Sequence, residues 1–91
     1  MGAGMTETPQ DRLKRLKIRS WRRGTKEMDL ILGPFFDARG ASLDAPTLEA
    51  YEALLSENDQ DLYAWVSAQS AVPAEHEPLI VTLREFHEKS S

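Results

Sequence analysis

The residues with the clearest chemical potential in this sequence surround one glycine, within residues 22–27. Arg23 and Glu27 stand four positions apart, with Gly24 between them. Two charges at this spacing can form a surface ion pair that contributes less than about 1 kcal/mol, or each can contact a partner molecule. A glycine at such a turn also lets a partner approach the backbone closely. This is the chemistry of binding, because the sequence contains no nucleophile motif, clustered acid–base pair or phosphate loop.

Metal and thiol chemistry have little support in the composition. The chain has no cysteine, which excludes disulfides, thiolate metal sites and cysteine nucleophiles. Its two histidines, His76 and His87, are too few for a typical zinc site without cysteine, and we expect both on the surface. No apolar run approaches the roughly 20 residues that span a bilayer. We therefore expect no catalytic residue, no metal site and no membrane insertion.

Positive charge is concentrated near the N-terminus, although the formal net charge is -4. Eight of the eleven basic residues lie between Arg12 and Lys26, and the rest of the chain is acidic. A basic segment on an acidic body suggests a partner that is steered electrostatically. The alternative hypothesis is a small helical protein that binds nucleic acid through this segment, with an affinity that falls steeply as the salt concentration rises. The acidic body and the lack of an obvious recognition helix weigh against that alternative.

The length of 91 residues allows one domain, and the hydrophobic periodicity predicts an all-α, small irregular five-helix bundle. We place the domain at residues 9–88, between a flexible N-terminus (1–8) and a frayed C-terminus (89–91). The first helix should run from Pro9 to about Arg23, with Thr8 as its N-cap. Gly24 should end it, because glycine tolerates the left-handed conformation found at many helix ends.

The second helix should begin after Thr25 and carry a full apolar stripe. The residues of the stripe are Met28, Ile31, Leu32, Phe35 and Phe36. Pro34 lies inside this pattern, which predicts a kink near Leu32 or a break. We expect residues 37–42 to form a loop.

Three further helices should complete the bundle. The third begins after the N-cap Asp44 and runs to about Glu57, the fourth is capped by Asn58 or Asp59, and the fifth starts near residues 75–78. Their predicted buried faces are Leu48, Tyr51, Leu54 and Leu55; Leu62, Tyr63, Trp65 and Val66; and Leu79, Ile80, Leu83 and Phe86.

Three segments together resemble one known family. Residues 22–29 resemble the Arg-Gly-x-x-Glu motif of the SdhE family, also called succinate dehydrogenase assembly factor 2. Residues 34–37 resemble its Pro-Phe-Phe segment, and residues 58–66 resemble its acidic turn followed by Asp-Leu-aromatic-x-Trp. The segments occur in the same order and spacing as in the family, and the resemblance covers residues 12–87.

The resemblance implies a five-helix assembly factor, not an enzyme, which binds the flavoprotein subunit of succinate dehydrogenase and promotes covalent attachment of FAD. Fumarate reductase has a flavoprotein of the same class. The FAD belongs to the partner, and the chain binds no cofactor stably. Arg23, Gly24 and Glu27 are implied to carry the partner contact, with the adjacent Arg22 and Trp21. Trp21 is either a core anchor or an interface aromatic.

The resemblance also sets expectations for behaviour. The protein should be a monomer, cytoplasmic in a bacterium or in the mitochondrial matrix of a eukaryote, with no nucleic-acid partner. Two motif positions depart from the family pattern, Thr25 and Lys26, and neither alters the three motif residues. If Arg23 and Glu27 face a partner, replacing either with alanine should leave the melting temperature nearly unchanged.

Overall fold

The computed structural model describes residues 7–90, and it contains five α-helices within them. The helices are α1 (Pro9–Trp21), α2 (Lys26–Arg39), α3 (Ala45–Leu55), α4 (Asp59–Val66) and α5 (Glu77–Ser90), with a short 3₁₀ helix at Gly40–Ser42 between α2 and α3. No strand occurs in this part of the chain, so the prediction of an all-α five-helix bundle is confirmed. Of the predicted flexible ends, residues 1–6 and 91 lie outside the described residues, and the predicted domain limits stay a prediction.

Four side chains cap the helix N-termini where the sequence predicted them. Each accepts a hydrogen bond from the backbone N–H three residues later, which satisfies one of the donors that a helix leaves unpaired. The caps are Thr8 on α1, Thr25 on α2, Asp44 on α3 and Asn58 on α4. These local bonds fix where four of the helices begin.

Helix α2 is longer than predicted, because it continues through Pro34 to Arg39. The predicted break is therefore wrong, and so is the loop, since its first half is helical and its second half is the 3₁₀ helix. A proline removes one helical hydrogen bond. Phe35 and Phe36 are the next two residues in the chain, and both are buried. The apolar stripe therefore continues past the proline, and so does the packing that stabilises the helix.

The core lies among all five helices and consists mostly of the predicted apolar faces. Its buried members are Leu16, Met28, Leu32, Phe35, Phe36, Tyr51, Leu54, Leu55, Leu62, Trp65, Leu79, Ile80 and Leu83. Two predictions of burial are wrong. Tyr63 is 41% exposed, because Leu62 and Trp65 already define the inner face of α4 and Tyr63 points away from it. His76, predicted on the surface, is only 3% exposed.

Tyr51 joins the aromatic part of the core to a buried polar group. Its ring centroid lies 5.9 Å from that of Phe35 and 5.2 Å from that of Phe36. Its hydroxyl lies 2.6 Å from Oγ of Ser20, and that Oγ lies 2.8 Å from the carbonyl oxygen of Leu16. Because the single hydroxyl proton of Ser20 is donated to Leu16, Tyr51 donates to Ser20.

Alkaline pH should destabilise the fold through Tyr51. Burial raises the pKa of this phenol to about 12, from an ordinary value of 10. A pKa that is higher in the folded state gives stability that is complete below pH 10 and is lost as the pH rises towards 12. We expect Tyr51→Phe to flatten this part of the stability profile. Urea midpoints followed by circular dichroism between pH 9 and pH 12 would show it.

The matched control for this titration is Tyr63→Phe, which removes an exposed phenol. It should keep the wild-type pH profile, so the difference between the two variants isolates the buried hydroxyl. A Tyr51→Phe profile as steep as that of the wild type would contradict the assignment.

Candidate functional site

Arg23 lies inside the fold and holds three segments of the chain together. Its Nε donates to Oδ1 of Asp59 at 2.8 Å. Its Nη1 donates to the carbonyl oxygen of Leu55 at 2.7 Å, and its Nη2 donates to that of Glu57 at 2.8 Å. The side chain is only 11% exposed. The guanidinium therefore connects the turn after α1 to the end of α3 and the start of α4.

This position changes the interpretation of the motif. The ion pair between Arg23 and Glu27 that the spacing allowed is not formed, because Arg23 pairs with Asp59 instead. The expectation that Arg23→Ala leaves stability unchanged is revised, since its side chain makes three hydrogen bonds within the fold. A direct contact of Arg23 with a partner stays a prediction.

Gly24 makes a close contact with Asp59 and does not adopt a left-handed backbone. No glycine among the described residues has a positive φ, and α1 ends earlier, with Arg22 as its C-cap. The predicted left-handed helix stop is therefore wrong. The N–H of Gly24 donates to Oδ2 of Asp59 at 2.7 Å. A Cβ at this position would lie 3.1 Å from the same oxygen, so a side chain would press on the carboxylate that binds the turn.

Asp59 is the residue that organises this turn. One carboxylate oxygen accepts from the Arg23 side chain and the other accepts from the Gly24 backbone. Asp59 is the first residue of α4, whose N-terminal position favours a negative charge. On the other side of the turn, the N–H of Arg23 donates to Oδ1 of Asp29 at 2.6 Å. The two aspartates fix the motif backbone between α2 and α4.

A cleft of about 380 Å³ lies beside this turn, between the start of α2 and the outer face of α4. The lining residues are Thr25, Glu27, Asp59, Gln60 and Tyr63. Glu27 is exposed and forms no hydrogen bond or ion pair with any described residue. Of the three motif residues, the structure thus binds Arg23 and Gly24 into the fold and leaves the Glu27 carboxylate open to a partner.

The other two predicted contact residues, Arg22 and Trp21, also differ in how far the fold buries and binds them. Arg22 is exposed and pairs with no carboxylate of the described chain. Trp21 is half-buried, and its indole N–H lies 3.2 Å from both carboxylate oxygens of Asp37. Its ring covers Gly33, where a Cβ would lie 2.3 Å from the indole. This packing favours the core anchor of the two interpretations of Trp21, and a role in partner contact stays a prediction for both residues.

Sequence reasoning did not assign Asp59, Gln60 or Tyr63 to the site. All three belong to the segment 58–66, which carried part of the family resemblance, so a signal was present in the sequence. What the sequence does not reveal is that this segment folds against the Arg-Gly-x-x-Glu turn.

Half of the basic N-terminal segment is neutralised within the molecule. Four of its eight basic residues pair with carboxylates: Arg12 with Glu52, Arg15 with Glu7 and Glu52, Lys17 with Asp37, and Arg23 with Asp59. The hydrogen bond from Arg15 lowers the pKa of the Glu52 carboxyl below its usual range. Charges engaged in this way release fewer counterions from a phosphate backbone, which weakens the nucleic-acid alternative.

The two histidines take structural positions. Nε2 of His76 lies 2.8 Å from Oε2 of Glu57, and its ring packs against Trp65 with 5.5 Å between centroids. Nε2 of His87 lies 2.8 Å from the carbonyl oxygen of Ile31. Within the described part of the chain, no three His, Asp or Glu side chains are grouped so that they could hold a metal ion.

Comparison with known proteins gives one family. A family model described as "Flavinator of succinate dehydrogenase" matches residues 14–87. The chain is 34% identical over 77 residues to succinate dehydrogenase assembly factor 2, mitochondrial, of Dictyostelium discoideum. The aligned residues cover 85% of this chain and 55% of that protein. It is 34% identical over 64 residues to FAD assembly factor SdhE of Acetobacter pasteurianus. The aligned residues cover 70% of this chain and 59% of that protein.

A further relative is succinate dehydrogenase assembly factor 2-A, mitochondrial, of Drosophila erecta. It is 32% identical over 87 residues, which cover 93% of this chain and 54% of that protein. The chain therefore spans little more than half the length of these three relatives. None of the helices in the described residues combines the length and apolar character needed to cross a membrane.

Proposed function

This chain belongs to the family of succinate dehydrogenase flavinators, and from that premise we propose that it binds the flavoprotein subunit of succinate dehydrogenase and promotes covalent attachment of FAD to it. The flavoprotein subunit of fumarate reductase is a second partner of the same class. The proposal is supported by the match over residues 14–87 and by the similarity to a protein named FAD assembly factor SdhE. The chain acts where its partner matures, in the cytoplasm of a bacterium or in the mitochondrial matrix of a eukaryote.

The observation that carries the proposal is the exposed carboxylate of Glu27 in the cleft beside Gly24. The motif turn is fixed from within by Arg23 and Asp59, so Glu27 is presented from a rigid support. A contact that is held in place before binding loses less conformational entropy when the complex forms. Glu27 and the exposed Arg22 make the direct contacts, and Arg23 acts by positioning the turn.

The chain supplies binding and not the chemistry of flavin attachment. The flavin and the partner provide the reacting groups, and a protein of this kind contributes orientation. By binding best to the partner conformation in which the reacting groups are aligned, the chain shifts the population towards that conformation. The size of the shift equals the difference between its affinities for the two conformations.

The lining of the cleft supports the view that FAD belongs to the partner. The Glu27 carboxylate lines the cleft without a donor among the described residues, and it would repel the pyrophosphate of the cofactor. We propose that the chain has no catalytic site of its own and works as a monomer on the FAD-loaded flavoprotein.

Covalent flavin in cells tests the proposal. A strain that lacks this protein should lose most of the covalent flavin on its succinate dehydrogenase flavoprotein. Wild type should restore it, and Glu27→Ala should restore less than about half, because the exposed contact is lost. The measurement is in-gel flavin fluorescence after denaturation, since only covalently bound FAD remains, with an immunoblot for total flavoprotein.

Lys14→Ala is the matched control for loss of an exposed charge, because Lys14 is exposed and lies outside the motif. It should restore flavin fully. A deletion strain with fully flavinylated enzyme would overturn the proposed function. Equal loss with Lys14→Ala and Glu27→Ala would show that Glu27 has no special part in the contact.

A further inference from the structure

Glu27 is the uncompensated charge of the cleft. The other carboxylate in the lining, that of Asp59, already accepts from the Arg23 guanidinium through one oxygen and from the Gly24 N–H through the other. Glu27 has no donor among the described residues, and no basic side chain lines the cleft. The cleft therefore offers one free negative charge to whatever enters it.

The opposite wall of the cleft is aromatic and polar. Tyr63 lies on the outer face of α4 and is 41% exposed. Its aromatic ring is therefore accessible in a cleft that also contains a carboxylate. An aromatic face attracts a cation positioned over it, and it also packs against the apolar stem of a long basic side chain. Gln60, one helical turn before Tyr63 on α4, adds an amide that can donate and accept.

We propose that this cleft receives a basic side chain, arginine or lysine, from the flavoprotein partner, with its charged end at Glu27 and its stem along Tyr63. The inference rests on the proposed function and specifies the chemistry of its contact. It also extends the binding surface from the motif turn to α4, so that Gln60 and Tyr63 join the contact.

The competing occupant is an anion, such as a phosphate group of FAD. Helices α2 and α4 both begin at the walls of the cleft, and helix N-termini often bind anions. Here one first-turn donor of each helix is already used by its capping side chain. The N–H of Met28 donates to Oγ1 of Thr25 at 3.3 Å, and the N–H of Asp61 donates to Oδ1 of Asn58 at 2.8 Å. Because the capping side chains already use these donors and Glu27 contributes a negative charge, the cleft repels an anion and attracts a cation.

The sign of the charge effect tests the proposal. The dissociation constant of the purified chain for the purified, FAD-loaded flavoprotein subunit of the same organism would be measured by titration calorimetry for the wild type, Glu27→Gln and Glu27→Lys. A bound cation predicts about tenfold weaker binding for Glu27→Gln and about a hundredfold weaker binding for Glu27→Lys, since each step removes attraction or adds repulsion. Raising the salt concentration should narrow both differences.

Two further variants complete the experiment. Tyr63→Leu should weaken binding about threefold or more, because it removes the aromatic face. Glu85→Gln is the matched control, as Glu85 is an exposed glutamate on α5 that does not line the cleft, and its affinity should stay within about twofold of wild type. All four substitutions are at exposed positions, so unchanged melting temperatures should accompany them.

Each outcome is decisive. Equal binding by Glu27→Gln and wild type would mean that the partner presents a neutral donor, which overturns the inference but not the proposed function. Tighter binding by Glu27→Gln and Glu27→Lys would mean that an anion occupies the cleft, which also overturns it. Failure of the wild type to bind the flavoprotein would overturn the proposed function itself.

Discussion

Trp65→Ala should remove most of the stability of the protein. Trp65 is 7% exposed in the core, and its ring packs against the buried ring of His76. Emptying a large aromatic core position costs about 3–5 kcal/mol, from lost burial and the cavity that remains. The free energy of unfolding of a domain this small is expected near the lower end of about 5–15 kcal/mol. Urea unfolding followed by helical circular dichroism would measure the loss.

Tyr63→Ala is the matched comparison, since both aromatic residues lie on α4 and only one faces the core. Because Tyr63 is exposed, its removal should change the free energy of unfolding by no more than about 0.5 kcal/mol. If the two variants unfold at the same urea concentration, the burial of Trp65 does not stabilise the fold as argued.

The helices could be predicted because their signals are local. A cap such as Thr25 or Asn58 acts on an N–H three residues away, and a hydrophobic stripe repeats within one helix. Both kinds of signal are therefore visible in a short window of sequence. The local pattern at Pro34 does not predict the extension of α2, because that extension depends on the burial of Phe35 and Phe36 by the rest of the bundle.

The candidate site could be located but its internal arrangement could not be predicted. The motif residues around Gly24 are adjacent in sequence, so their importance was evident from spacing and resemblance. The partners of Arg23 lie 32 to 36 positions further along the chain. No hydrophobic periodicity connects positions so far apart. Whether Arg23 is exposed or hydrogen-bonded within the fold is decided only when α4 packs beside the turn.

His76 shows the same limit in a different way. A histidine with glutamates on both sides in sequence has the composition of a surface segment. The structure buries it because Glu57, 19 positions earlier, supplies a hydrogen-bonding partner and Trp65 covers the ring. Polar residues enter a core when a partner is available, and the partner here is distant in sequence.

Arg23→Ala should destabilise the fold by about 3 kcal/mol, which is the loss expected when one partner of a largely buried ion pair is removed. The change removes three donors at once and leaves the Asp59 carboxylate, 16% exposed, with only its bond to the Gly24 N–H. Asp59→Ala should cost a similar amount, because it leaves the Arg23 guanidinium buried without a counter-charge. Arg23→Lys should fall between wild type and Arg23→Ala, since lysine keeps the charge but lacks the planar fork that reaches several acceptors.

Arg22→Ala is the control, because this neighbouring arginine is exposed and pairs with no carboxylate of the described chain. Its free energy of unfolding should stay within about 0.5 kcal/mol of wild type. The double variant of Arg23 and Asp59 should lose less than the sum of the two single losses, because each single change already breaks the same pair. Urea midpoints for the wild type and the five variants decide the matter. If Arg23→Ala unfolds with the wild-type midpoint, the internal bonds of Arg23 add nothing to stability, and its role in the motif must be direct contact with the partner.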